Sequence, residues 1–220
     1  MQRKRSPARQ PEKSKPPAQK RAPQAPVASP APADVRRTEL VQAAFDLIAE
    51  RGLEELRTRD IAAKVGINIS TLHYYFDTKE SLIAAVVDHM TELFRTVRAP
   101  LADGATALEE LRQLFATQLY RRRQQPGLEV VVQEMMLRAR RDEKVRARLE
   151  LMLLGWNAYV ESVIMRGVRE GDFARDIDAK AAAAIVTSYT IGNNLQHGVR
   201  PTGFPYQAAY ELLISSLARR

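Results

Sequence analysis

Between Val65 and Phe76 the chain reads VGINISTLHYYF, which crowds Asn68, Ser70, Thr71, His73, Tyr74 and Tyr75 into eight positions. Ser and Thr hydroxyls bond base edges or phosphates, Tyr hydroxyls reach phosphate oxygens, and ring faces meet thymine methyls. The chemistry on offer is therefore that of a DNA groove. Consecutive helical residues point about 100° apart, so His73, Tyr74, Tyr75 and Phe76 cannot all be buried on one side. Leu72 and Phe76, four apart, supply a buried edge. Ile69, Ser70, Thr71, His73, Tyr74 and Tyr75 are then left facing outward. Either tyrosine alone is explained as well by packing between helices; the arrangement as a whole is not.

The flanking residues say what would hold this face in place. Ile61, Ala62 and Val65 give a short preceding helix its apolar edge, Gly66 permits the positive φ that ends it, and Ile67 is the apolar residue inside the turn. Asn68 is placed to cap a second short helix, about Ile69 to Phe76, by accepting a backbone N–H from Ser70 or Thr71. This is a helix-turn-helix. The next helix opens Asp77-Thr78-Lys79-Glu80, with Asp77 or Thr78 as its cap. Lys79 then sits in its first turn beside free backbone N–H groups, a place suited to a phosphate.

Helical periodicity runs through the rest of the chain. Leu40, Val41, Ala44, Phe45, Ile48 and Ala49 make one apolar stripe before Gly52, and Leu82, Ile83, Val86, Val87, Met90, Leu93, Phe94 and Val97 make another before Pro100. Further stripes follow over 108–119, 128–140 and 142–170, the last stopped by Gly171. Asp178 is placed to cap a helix to about Gln196, and a final helix takes Tyr206 to Leu217. No segment alternates at period two, so the fold class is all-α, with about nine helices.

The 220 residues carry a formal charge of +8 and no cysteine, which excludes disulfides, thiolate nucleophiles and Cys-based metal sites. The charge is concentrated at one end. Residues 1–33 hold eight basic residues against Glu12 alone, whereas 34–82 hold seven basic and nine acidic residues. The first 33 residues also hold eight of the twelve prolines and little that is apolar and bulky. They read as a disordered basic tail that either follows DNA phosphates or serves as a solubilising linker. No run of about 18 apolar residues spans a bilayer, and a cytoplasmic location is expected.

RTELVQAAFDLIAERGL at 37–53, followed by TRDIAAKVGINISTLHYYFDTKESLIAAV at 58–86, resembles the DNA-binding domain of TetR-family transcriptional repressors. After the basic tail at 1–33, the resemblance implies a helix-turn-helix domain at 34–82 and a helical effector-binding and dimerisation domain at 83–220. By the same resemblance Thr71, Tyr74, Tyr75 and Lys79 contact the DNA backbone, and Asn68, Ile69, Ser70 and His73 lie nearer bases. Arg37 and Thr58 are further phosphate candidates. Arg57 stands where the family has Ser or Thr, which moves the expected cap to Thr58. His73 stands where the family has Tyr.

In the second domain the resemblance implies a four-helix dimer interface from the last two helices, drawing on Ile185, Tyr189, Gly192, Tyr210, Leu213 and Leu217; a plain intramolecular core is the competing reading. Met90, Phe94, Phe115, Met135, Met152, Trp156, Tyr159 and Tyr189 are candidate walls for a hydrophobic effector, with Asn193 a polar anchor. Such stripes are also what an ordinary core looks like. The expected partners are double-stranded DNA, a small effector and a second copy of the chain, with no cofactor and no metal. The chain has only three histidines, His73, His89 and His197, and no HExxH, GxSxG, P-loop or Rossmann pattern, which places an enzyme behind a regulator. A ligand-independent architectural DNA-binding protein is the other rival.

Overall fold

A computed structural model describes residues 33–97 and 101–218. The expected basic tail, apart from Ala33, lies outside the described residues. The helices are α1 (Ala33–Arg51), α2 (Thr58–Val65), α3 (Ile69–Tyr75), α4 (Lys79–Thr96), α5 (Ala107–Gln124), α6 (Leu128–Arg138), α7 (Glu143–Glu170), α8 (Ala179–Val199) and α9 (Tyr206–Ser215). Among the described residues an isolated bridge between Phe173 and Ala218 is the only β pairing.

Side-chain caps set where several helices begin. Asp142 accepts from the backbone N–H of Lys144 and Val145 at the start of α7, and Asp178 accepts from that of Ala181 at the start of α8. Thr106 and Glu109 form a reciprocal capping box on α5. Each such cap contributes on the order of 1 kcal/mol.

Two apolar clusters organise the helices. The first is built from α1 to α4, α6 and the N-terminal half of α7, with Leu40, Ile48, Ile61, Leu72, Leu82, Met90 and Met135 fully buried. The second joins α5, the C-terminal half of α7, α8 and α9 through Leu111, Ile164, Val186, Tyr210 and Ile214, with Phe173 from the loop after α7. The boundary expected at residue 82 falls inside α4, where Leu82 and Ile83 both enter the first cluster. α6 also belongs to this cluster, so the helix-turn-helix shares its core with elements from later in the chain.

The contact between α1 and α6 is close. A Cβ placed on Gly127 would lie 2.6 Å from the Cβ of Ala49, so only glycine lets α6 start where it does. Nearby, Glu134 on α6 accepts from the backbone N–H of Leu53 at 3.2 Å. On the other side Arg148 of α7 pairs with Asp88 of α4 at 3.1 Å.

His89 of α4 meets Phe45 of α1 edge to face, with ring centroids 5.5 Å apart, and its Nε2 is buried without a partner among the described residues. Burial lowers its pKa, and the nearby Asp46 carboxylate opposes that effect. The unfolded chain therefore takes up this proton more readily, so His89 costs stability as pH falls below the ordinary histidine value of roughly 6.5.

Two predictions follow from this packing. Gly127→Ala is expected to lower the unfolding free energy by about 1–3 kcal/mol in urea titrations, whereas Gly155→Ala, at an open helical position with nothing within 4 Å, leaves it unchanged or raises it. Between pH 7.5 and pH 5.5 the melting temperature of the wild type should fall more steeply than that of His89→Leu.

Candidate nucleic-acid interface

Gly66 ends α2 at φ 75°, and the N–H of Ile67 closes the turn onto the carbonyl of Ala62 at 2.9 Å. Asn68 then caps α3. Its Oδ1 accepts from the Thr71 backbone N–H at 2.7 Å and from the Thr71 hydroxyl at 2.9 Å. Leu72 and Phe76 anchor the helix in the first cluster, both buried. The opposite side is open: Ile69, Ser70, His73 and Tyr74 are exposed, Tyr74 at 81%.

Tyr75 departs from the outward position expected of it. It is half-buried against the first cluster, with its ring edge to face on Tyr74 at 5.2 Å. Placed next to Phe76 on a helix of seven residues, it has one side over the core and so supports Tyr74. Thr58 departs as well. It is the first residue of α2, while Arg57 takes the cap position without a side-chain hydrogen bond. An arginine has no acceptor to offer the first-turn N–H groups.

Thr78 caps α4 through a reciprocal pair with Ser81, its hydroxyl accepting from the Ser81 N–H at 3.1 Å. Lys79 follows, half-buried. The N-terminal ends of α2 and α4 meet α3 around an open depression of about 670 Å³, lined by Arg57, Thr58, Arg59, Ile69, His73 and Lys79 among others. The sequence marks Arg57 only as a departure at the cap and Arg59 not at all, because nothing in their spacing shows that the start of α2 lies beside α3. Arg37 sits with its guanidinium 4.8 Å from the Phe76 ring, at the far end of the same helix. Two helix N-termini, three arginines and a lysine thus surround a short helix rich in hydroxyls, an arrangement suited to phosphates on either side of a major groove.

The candidates in the C-terminal domain do not gather at one place. Met90 and Met135 are fully buried in the first cluster, and Met152 packs against it. Phe94 lies under the guanidinium of Arg121, and Phe115 stacks on Tyr210. Trp156 and Tyr159 pack on the second cluster, where the Tyr159 hydroxyl donates to Glu110. Only Tyr189 and Asn193 meet, in an open groove of about 560 Å³ along α8 that is also lined by Ile185, Gly192, Phe204 and Tyr206. Of the residues expected at a dimer interface, Tyr210 is instead turned inward. It is 1% exposed and donates its hydroxyl to the Leu111 carbonyl at 2.7 Å, so it has no surface to offer a partner. Leu213 and Leu217 are half-buried against the second cluster, and Ile185 is exposed.

Fold and site together define a helix-turn-helix DNA-binding protein with a helical second domain. Residues 40–86 match the N-terminal profile of the tetR family of bacterial regulatory proteins, and residues 107–220 match the C-terminal domain of BetI-type transcriptional repressors. The transcriptional repressor KstR2 of Rhodococcus jostii is 30% identical over 148 residues, covering 67% of this chain and 72% of that protein. The fatty acid metabolism regulator of Bacillus subtilis is 24% identical over 149 residues, covering 67% and 76%. Among solved structures, a TetR-family regulator from Rhodococcus superposes with a TM-score of 0.74 at 20% identity, covering 83% of this chain and 98% of its own. A regulator from Saccharomonospora viridis, solved with choline, does so at 0.73 and 23%, covering 85% and 100%. The chain belongs to the TetR family of bacterial transcriptional regulators.

Substituting Tyr74 or Lys79 with Ala is expected to weaken binding to all duplexes by about tenfold. Lys79→Ala should also reduce the slope of log affinity against log salt by about one, as loss of one phosphate contact requires. Fluorescence anisotropy with unrelated duplexes at several salt concentrations reads both effects.

Proposed function

We propose that the chain is a homodimeric, effector-controlled repressor that reads a near-palindromic operator with α3. The observation that carries the reading is the pairing of an exposed hydroxyl-bearing α3, anchored in the first cluster, with an exposed apolar stripe on helices of the second. On α8, Ile185 (54% exposed), Leu195 and Val199 face outward with Ala184, Ser188 and Gly192 between them, and Leu212 on α9 is 76% exposed. Apolar residues in contiguous exposure mark an interaction surface, and a second copy paired through the same stripe is the simplest occupant. Two-fold pairing presents two copies of α3, which suits half-sites about 34 Å apart.

Repression is supported by the relatives described as repressors, and a small effector by the choline complex of the Saccharomonospora viridis regulator. An effector acts by binding one spacing of the two recognition helices better than the other. α4 and α6 are the levers, since both enter the core that carries α3 while reaching into the later helices. The site of action is the cytoplasm; no helix among the described residues is long and apolar enough to cross a membrane.

Selection from random duplexes should return a near-palindrome. Leu212→Asp, which places a charge in the stripe far from α3, is expected to give a monomer by sedimentation and to lose preference for the full palindrome over a half-site. A dimeric Leu212→Asp protein with undiminished operator preference would contradict the assigned seam.

A further inference from the structure

Hydrogen bonds inside the helix-turn-helix decide which side chains of α3 are left to read a sequence. Asn68 Oδ1 is occupied by the backbone N–H and the hydroxyl of Thr71, at 2.7 and 2.9 Å. The Thr71 hydroxyl has therefore committed its proton within the protein, and Tyr75 is half-buried against the first cluster. Four exposed side chains remain on α3: Ile69, Ser70, His73 and Tyr74. They fall into two rows, because residues four apart are neighbours on a helix. Ser70 and Tyr74 make one row and Ile69 and His73 the other. A hydroxyl both donates and accepts, so the first row suits most base edges and phosphates alike. Discrimination is left to the second.

Ile69 and His73 both line the depression bordered by the starts of α2 and α4. The His73 ring has no hydrogen bond, ion pair or ring contact among the described residues. Asp77 and Glu80 line the same depression. Carboxylates there disfavour a phosphate at the imidazole and leave an uncharged base edge as its better match. An imidazole always carries at least one N–H donor. Guanine is the base whose major-groove edge presents two acceptors, N7 and O6, and no donor, whereas adenine sets its N6 amine beside N7. Ile69 offers only carbon, at 44% exposure, and the matching feature in the groove is the thymine methyl.

We infer that Ile69 and His73 choose the operator: in each half-site His73 donates to N7 of a guanine, with O6 beside it, and Ile69 packs on the methyl of a neighbouring thymine. Four residues of helix rise about 6 Å and one base-pair step about 3.4 Å, so the two bases lie within about two steps of each other. This assignment deepens the DNA reading above and rests on it. Ser70 and Tyr74 add affinity without selecting a sequence.

The test begins with selection by the full chain from duplexes with a randomised core, where each half-site is expected to hold a guanine and a thymine at that spacing. In the selected duplex, 7-deazaguanine, which lacks N7, should weaken wild-type binding about fivefold, and deoxyuridine, which lacks the methyl, about threefold. His73→Ala should lose the first sensitivity and keep the second; Ile69→Ala should do the reverse. Both side chains are exposed, so neither change removes a core contact. The assignment is overturned if the modified bases are bound as tightly as the natural ones, if His73→Ala weakens every duplex equally without changing the choice, or if each variant keeps the sensitivity it should lose. A palindrome selected with those outcomes leaves the DNA reading standing. No duplex preferred over the random pool removes both.

Discussion

The placement of the recognition helix depends on a contact that leaves no room for a side chain. α6 begins at Leu128 directly after Gly127, whose backbone rests on Ala49 of α1 where an added Cβ would come within 2.6 Å. α1 in turn carries Leu40, Phe45 and Ile48 into the core that holds Leu72 and Phe76 of α3. Interiors packed at this density transmit displacement rather than absorb it. A shift of α6 therefore reaches α3 through two layers of buried side chains, and the hydrogen bond from Leu53 to Glu134 runs alongside that path. α4 makes a second connection, continuous from the cap at Thr78 beside the DNA face to Thr96.

The face that α3 presents, proposed to meet DNA, is built economically. Residues 34–82 carry more acidic than basic side chains, so the net charge of this stretch supplies no attraction of its own. What it offers instead is position: the starts of α2 and α4 border one depression, lined by Arg57, Arg59 and Lys79 together with Asp77 and Glu80. On such a face, discrimination between bases would fall to the exposed side chains of α3. With Ile69 and His73 among them, the face offers an apolar surface and an imidazole beside its hydroxyls.

Much of this is legible in the amino-acid sequence. The turn at Gly66, the Asn68 and Thr78 caps and the buried pair Leu72 and Phe76 are local features, decided within a few residues, and the sequence carries such features directly. The cap falls at Arg57, one residue before the expected Thr58, where the Arg57 carbonyl accepts from the N–H groups of Asp60 and Ile61 and no side-chain acceptor marks the start. Tyr75 and Tyr210 illustrate a different limit. Periodicity says that a helix has an apolar face but not which neighbour covers it, and Tyr210 turns out to face α5 of its own chain.

Regulation by this protein, as proposed, depends above all on α3 and the starts of α2 and α4 forming the DNA-contacting surface. The most direct measurement is an amide chemical-shift map of the 15N-labelled protein titrated with a selected duplex. The largest changes are predicted at Thr58, at Ser70 through Tyr74 and at Lys79, with smaller ones passed to α1 and α6. Changes concentrated on α7, α8 and α9, with α3 unmoved, would contradict it.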